Sequence, residues 1–299
     1  MNLLKIIETL DLEKIDQEQF LKPAMRRNLF KKASDFSLKA ALASAPFAMM
    51  ALPTIVKAQT SDTPTYALQL ALKLEYLEFN FYTMGVAAMG QTPGLPTTNQ
   101  AVFQQILQHE TAHVKLLANA LGANAPTEPT FDFTLGGAAN PFGDYPTFLL
   151  FSQLFEDTGV RAYKGQAPVL IGNANLTTAL QIHSVEARHA AEVRRIRAAN
   201  GVAIKAWITE SDSGDIVPTA FQSAQQAVYG AGSPATGTPS ASYPAENNTT
   251  QDAVPLTTLL NGTSGEPTVS MDNITEAFDE PLDAATVVTI FKTFCTANC

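Results

Sequence analysis

The chain is poor in the residues that mark most catalytic machinery. Its 299 residues include two cysteines, Cys295 and Cys299, and four histidines, His109, His113, His183 and His189. The cysteines stand at the C-terminal end, away from every histidine, so no thiolate-histidine zinc spacing is offered. In an oxidising compartment they would bridge to each other or to another chain, and Cys-x-x-x-Cys closes locally only where a helix end unwinds. Residues 202–299 hold no Gly-rich phosphate loop and no Ser-His-Asp order. Positive charge is also short. The formal net charge is -9, from 19 Lys and Arg against 28 Asp and Glu, which argues against nucleic acid as a partner. Nor is there a clean membrane span, because the apolar run 40–56 is interrupted by Pro46 and Pro53 and is short for a bilayer.

What is present is concentrated. His109-Glu110-Thr111-Ala112-His113 sets a carboxylate and an imidazole one helical turn apart in an apolar run, and Glu186-Ala187-Arg188-His189 repeats the pair. Residues at i and i+3 share a helix face, so each Glu-x-x-His aims an oxygen and a nitrogen at one point in space. With 15 glutamates and four histidines, about 0.2 such pairs are expected by chance, and two occur. A buried carboxylate costs several kcal/mol unless it is paired or bound to a cation, so two such pairs in apolar helices ask for a metal.

The first 58 residues read as an address. Met25-Arg26-Arg27-Asn28-Leu29-Phe30-Lys31-Lys32, the apolar run to Val56 and the small Ala58 are similar to a twin-arginine export signal. No Ser or Thr precedes the arginines, and Leu29-Phe30 reverses the usual order. Residues 1–24 add an amphipathic pattern through Leu3, Ile6, Ile7, Leu10 and Ile15 that a signal does not need. If the segment is retained, it would be an arm on a partner or a membrane surface. The expectation is export to the periplasm or surface of a bacterial cell, with membrane contact only through this segment.

From 59 to 201 the periodicity predicts four helices. The first, 65–89, carries Leu68, Leu72, Glu75, Phe79, Tyr82 and Val86 at steps of three and four. The second, 98–121, carries Val102, Ile106, Glu110, His113 and Leu117, with Gly122 as its C-cap. A Pro- and Gly-containing stretch, 123–144, has the length of a crossover. The third helix, 145–170, turns Leu149, Ser152, Phe155 or Glu156, and Tyr163 inward. The fourth, 176–199, sets Leu180, His183, Glu186, His189 and Val193 on one stripe. Short, long and short connections are those of an all-α bundle with one long crossover.

These residues resemble the ferritin-like di-metal carboxylate family, whose ligand rule is a Glu from each of two helices and Glu-x-x-His from the other two. The resemblance implies a ferritin-like four-helix bundle holding two Fe or two Mn ions on Glu75, Glu110, His113, Glu156, Glu186 and His189, with Glu110 and Glu186 bridging. Glu78 is the alternative to Glu75, which is preferred because it shares the inner stripe and because Tyr82 follows it by seven residues. Tyr82 is then a hydrogen-bond donor or redox relay near the metals, or an ordinary core aromatic. His183, one turn from Glu186, is a candidate supporting residue, while His109 reads as surface. Within the family, Leu74-Glu75-Tyr76-Leu77-Glu78, the helix-four motif and Ala277-Phe278-Asp279-Glu280-Pro281 are similar to exported proteins related to desiccation-associated ferritin-like proteins.

Residues 202–299 read as a largely irregular extension ending in a short helix. Trp207 and Ile208 start a segment laid on the bundle, 230–250 is a Gly/Pro/Ser/Thr-rich insertion without core content, and Ile274–Phe278 and Ala284–Phe294 restore helical spacing. The extension would be a lid, a brace or a homo-oligomer contact. Hard, oxygen-rich coordination suits iron or manganese. The expected partners are metal ions and a small oxidant, in ferroxidase, peroxidase or catalase-like chemistry. The alternative is a non-catalytic, metal-stapled protein of stress protection or the cell envelope, and storage in a closed cage fits the extension poorly.

Overall fold

The computed structural model describes residues 63–210, 222–230, 243–251, 254–257 and 269–299. The export signal, the amphipathic preface and most of the Gly/Pro/Ser/Thr-rich insertion lie outside the described residues. Four long helices form the bundle: α1 (Pro64–Ala88), α2 (Gln100–Leu121), α3 (Tyr145–Gln166) and α4 (Leu176–Ala199). Each start has a local cause. Thr63 and Asp144 cap α1 and α3 by accepting from the backbone N–H three residues on, and each is followed by a proline in the first turn, where a missing N–H costs nothing. Gly122 ends α2 at φ +54°, a conformation that disfavours a side chain.

α1 pairs with α2 and α3 with α4, so the bundle is two helical hairpins joined by the long crossover. A short turn of 3-10 helix, Ala167–Leu170, completes the stretch expected for the third helix. One half of the interior is aromatic: Phe81 meets Phe133, Phe148 and Phe155 with ring centroids 5.0–5.2 Å apart. Such pairs add to area burial and fix the crossover, which supplies Phe133, against the bundle.

The fourth helix corrects the expected stripe. Leu180 is 44% exposed, and the inward face instead carries Ala179, Ile182, Glu186, His189 and Val193. At about 100° per residue, position 179 falls within about 20° of Glu186 while position 180 lies about 120° away.

α3 is buried on nearly every side because the extension covers what the bundle leaves open. Helices α5 (Gln222–Tyr229), α6 (Met271–Thr275) and α7 (Ala284–Lys292) belong to this cover, and α7 packs on α1, α3 and α5. Ile208 is buried as expected, whereas Trp207 stays half exposed. The helix α5 has no counterpart in the sequence reading. The clamp is Arg161 of α3, fully buried, whose guanidinium donates to the carbonyls of Val228, Gly230, Pro244, Glu280 and Pro281 and pairs with Glu246 at 2.6 Å. Gly165, one turn along, leaves the space through which the Leu282 backbone passes, since a Cβ there would fall 1.8 Å from its carbonyl oxygen. Nearby, Arg194 pairs with Asp157 at 2.6 Å, and the Tyr229 hydroxyl donates to the same carboxylate at 2.6 Å.

The C-terminus closes on the crossover. β1 (Thr130–Phe131) pairs antiparallel with β4 (Cys295–Ala297), while β2 (Thr250–Gln251) pairs with β3 (Val254–Pro255). Cys295 and Cys299 form a disulfide. The helix has already ended at Lys292, which meets the geometric condition for a local bridge. So short a loop removes little chain entropy. Reduction, or Cys299→Ser, is therefore expected to lower stability by about 2 kcal/mol or less and to raise hydrogen exchange only around β1 and β4. Global loosening on reduction would contradict this.

Candidate metal centre

α1 contributes Glu75 and Glu78, α2 Glu110 and His113, α3 Glu156, and α4 Glu186 and His189; all seven side chains are buried. Two groups of ligand-type atoms converge, each with its atoms within 4.8 Å of one another. One is Glu75, Glu110, His113 and Glu186, and the other is Glu110, Glu156, Glu186 and His189. Glu110 and Glu186 belong to both. All six residues named from the sequence are thus brought together, two from each Glu-x-x-His helix and one from each of the others.

His113 Nδ1 lies 3.1 Å from Glu75 Oε2, 3.0 Å from Glu110 Oε2 and 3.1 Å from Glu186 Oε1. His189 Nδ1 lies 3.0, 3.2 and 3.3 Å from Glu110 Oε1, Glu156 Oε2 and Glu186 Oε2. One nitrogen carries at most one proton, so it cannot bond three oxygens at once. His189 Nδ1, both Glu186 oxygens, Glu110 Oε1 and Glu156 Oε2 have no hydrogen bond of acceptable geometry despite these separations. Buried polar atoms are rarely left so, and several aimed at one point fit a cation between them.

The electrostatics show the strain of that arrangement. Burial opposes charge on His113, but Glu110, Glu186 and Glu75 outweigh it and hold the imidazolium up to about 12. Burial likewise opposes charge on His189, and Glu156, Glu110 and Glu186 push it far above the ordinary histidine value. Burial also lifts Glu156 to about 7 against the pull of His189, and Glu186 falls to about 2 because the two imidazoles overcome its own burial. Burial, then the Glu186 charge, raises Glu110 and Glu78 well above the carboxylate range. With like charges this close, protons stand in for missing cations.

The two halves of the site repeat. Tyr82 Oη donates to Glu156 Oε1 at 2.5 Å, and Tyr163 Oη donates to Glu75 Oε1 at 2.5 Å. Tyr82 follows Glu75 by seven residues and Tyr163 follows Glu156 by seven, and each serves the glutamate that the other follows. Tyr163 was read only as inward-facing, although the spacing that singled out Tyr82 also marks it. The repeat breaks at the next turn, where Glu78 on α1 corresponds to Gly159 on α3. Glu78 Oε1 sits 3.2 Å from where a Gly159 Cβ would stand, so the glycine makes room for a fifth carboxylate. Glu75 and Glu78 are therefore not alternatives by position: Glu75 joins the convergent atoms and Glu78 lies beside them.

The remaining histidines exchange their expected places. His109, read as surface, is half-buried with its Nδ1 2.8 Å from His189 Nε2. His183, the expected supporting residue, sits beside the Val160 backbone, and among the described residues no hydrogen bond joins it to the six. Three residues before Glu186 it is turned about 60° off the inner face.

Residues 64–199 match the model of the ferritin-like domain family. The chain is also 25% identical over 141 residues to Protein rds1 of Schizosaccharomyces pombe, a stretch that is 46% of this chain and 33% of that protein. The match thus spans a third of that relative's length. No solved structure matches the chain. The two-hairpin bundle, its crossover and the family match agree: residues 64–199 take the ferritin-like fold.

Proposed function

We propose that the cluster holds a pair of iron or manganese ions and performs redox chemistry on dioxygen, peroxide or ferrous ion. The observation that carries this reading is the set of buried, unpaired ligand atoms on Glu110, Glu156, Glu186 and His189, shared across two overlapping groups. The four glutamates of those groups balance two divalent ions, and an oxygen-rich set with one imidazole each suits iron or manganese better than copper or zinc. Glu78 adds a fifth carboxyl beside them, which burial and the Glu186 charge hold toward its neutral form.

When bound, such a pair supplies two electrons and open positions for a small oxidant. The protein's own part is to hold the glutamates in place through the Tyr82 and Tyr163 hydroxyls and to keep bulk water out through the aromatic half of the core. Tyr82 and Tyr163, each 2.5 Å from a ligand-type carboxylate, are the side chains placed to pass a proton or electron. We read the protein as exported; the Cys295–Cys299 bridge supports this, because disulfides persist in oxidising compartments.

The protonated state of the cluster gives a sign. The metal-free chain holds a proton on each of His113 and His189, and Glu156 titrates near 7, so ion uptake must displace protons. Affinity for Mn(II) is expected to rise steeply between about pH 6 and pH 8, tenfold per pH unit for each proton released, with at least two protons, one from each imidazole, leaving per pair. Calorimetry in buffers of different ionisation enthalpy counts them. Affinity that is flat or falling with pH would contradict the reading.

A structural role is the second reading, favoured by the complete burial of the four glutamates. Turnover of peroxide or ferrous ion by the iron- or manganese-loaded chain supports the redox reading. Metal-dependent melting without turnover supports the staple.

A further inference from the structure

His109 lies outside both groups of convergent atoms, yet its ring is set against one member of them. Its Nδ1 is 2.8 Å from His189 Nε2, the ring planes differ by 9° and the centroids are 5.1 Å apart. The centroid separation exceeds the nitrogen separation by about two ring radii, so the rings lie edge to edge in nearly one plane rather than face to face. That is the geometry of an in-plane N–H···N hydrogen bond.

A neutral imidazole has one donor nitrogen and one acceptor nitrogen, so this bond fixes which is which. His189 Nδ1 faces Glu110, Glu156 and Glu186. To offer a lone pair there, His189 must carry its proton on Nε2 and donate it to His109 Nδ1. His109 then keeps its own proton on Nε2, which lies 2.8 Å from the carboxamide of Gln105, one turn earlier on α2. A carboxamide turned to present its oxygen completes the line from the surface to the site. His113 has no such support: among the described residues its bonds all run through Nδ1 to carboxylates.

Simple packing does not account for a histidine here. His109 and His189 border a groove of about 470 Å³ between α2 and α4, whose walls are Ala101, Val102, Ile106 and Val185, with Gln105, Arg188 and Glu192 as its polar members. An aliphatic side chain would fill that wall equally well, whereas an acceptor aimed at His189 Nε2 would be lost.

We propose that His109 is a positioning residue for the His189 metal position: it locks the tautomer and ring plane of His189 and so makes that position the tighter of two otherwise similar ones. This rests on the metal pair proposed above. Partners behind a ligating histidine are typically worth about 10- to 100-fold in metal affinity.

The test is a calorimetric and optical titration of the full metal-free chain with Co(II). The wild type is expected to take up two ions. His109→Ala is expected to weaken one position by about 10- to 100-fold, with a change in that position's d–d bands, and to leave the other as it was. His109→Asn, whose side-chain oxygen can stand near the lost Nδ1, or imidazole added to the alanine variant through the open groove, is expected to restore the weakened position. Two unchanged affinities in His109→Ala, or equal weakening of both with no rescue, would overturn the proposal. A wild-type chain that takes up no ion pair would instead remove the reading it rests on.

Discussion

Replacing Glu110 by Gln is expected to empty both metal positions at once. The side chain offers oxygens to both convergent groups, 3.0 Å from each histidine nitrogen, so one neutralised carboxylate is felt twice. Losing a ligand costs more than losing a partner behind one, so each affinity should fall by more than about 100-fold. Turnover should disappear with the ions. The fold should not: burial raises the Glu110 carboxyl well above its ordinary range, so the ionised form burdens the metal-free protein, and the isosteric amide leaves no cavity. Melting of the metal-free variant at or slightly above the wild-type temperature, with metal content near zero, separates a lost ligand from a lost fold. A variant that still binds both ions would show that Glu110 is a buried acid and nothing more.

The second large effect is expected at Arg161. Its guanidinium is the shared donor for three separate pieces of the extension, near 228–230, 244–246 and 280–282. Arg161→Met keeps much of the volume but strands a row of buried carbonyls and the Glu246 carboxyl. Burial already lifts Glu246 to about 8 while Arg161 pulls it down, so without the arginine it would stay protonated. Breaking a buried ion pair from one side costs about 3 to 5 kcal/mol. Denaturant unfolding should show a loss of that size, and hydrogen exchange should rise in α5, α6 and α7 while the inner faces of α1 and α2 stay protected. Uniform loosening of all four bundle helices would contradict a local role for Arg161.

The two substitutions also mark how far the amino-acid sequence reaches. Glu110, His113, Glu186 and His189 were legible because a pair at i and i+3 is a local pattern, and helix geometry turns it directly into a shared direction. Glu75 and Glu156 followed only from the ligand rule of the family that the chain resembles, which asks for one glutamate from each remaining helix. Helix ends were legible where a cap and a proline coincide, as at Thr63-Pro64. Leu180 was misplaced because counting threes back from Glu186 drifts off the face that Ala179 and Ile182 hold.

The rest was hidden for a different reason. Arg161 and Arg194 look like solvated charges on any helix, and nothing near them in the chain announces that Gly230, Pro244 and Pro281 will come to cover the first, or Trp207 and Tyr229 the second. His109 was read as surface because its partner, His189, is 80 positions away. Tyr163 could have been found, since the seven-residue step from Glu156 matches the step from Glu75 to Tyr82. Gly159 gives its meaning only once Glu78 is seen in the space it leaves.

The most direct measurement is the number and magnetic coupling of ions held by the full chain. After loading with Mn(II) and removal of excess metal, elemental analysis should find about two ions per chain, and electron paramagnetic resonance should show them exchange-coupled through shared carboxylates. Fewer than one ion per chain, or two that behave as isolated centres, would contradict a pair held between Glu110 and Glu186.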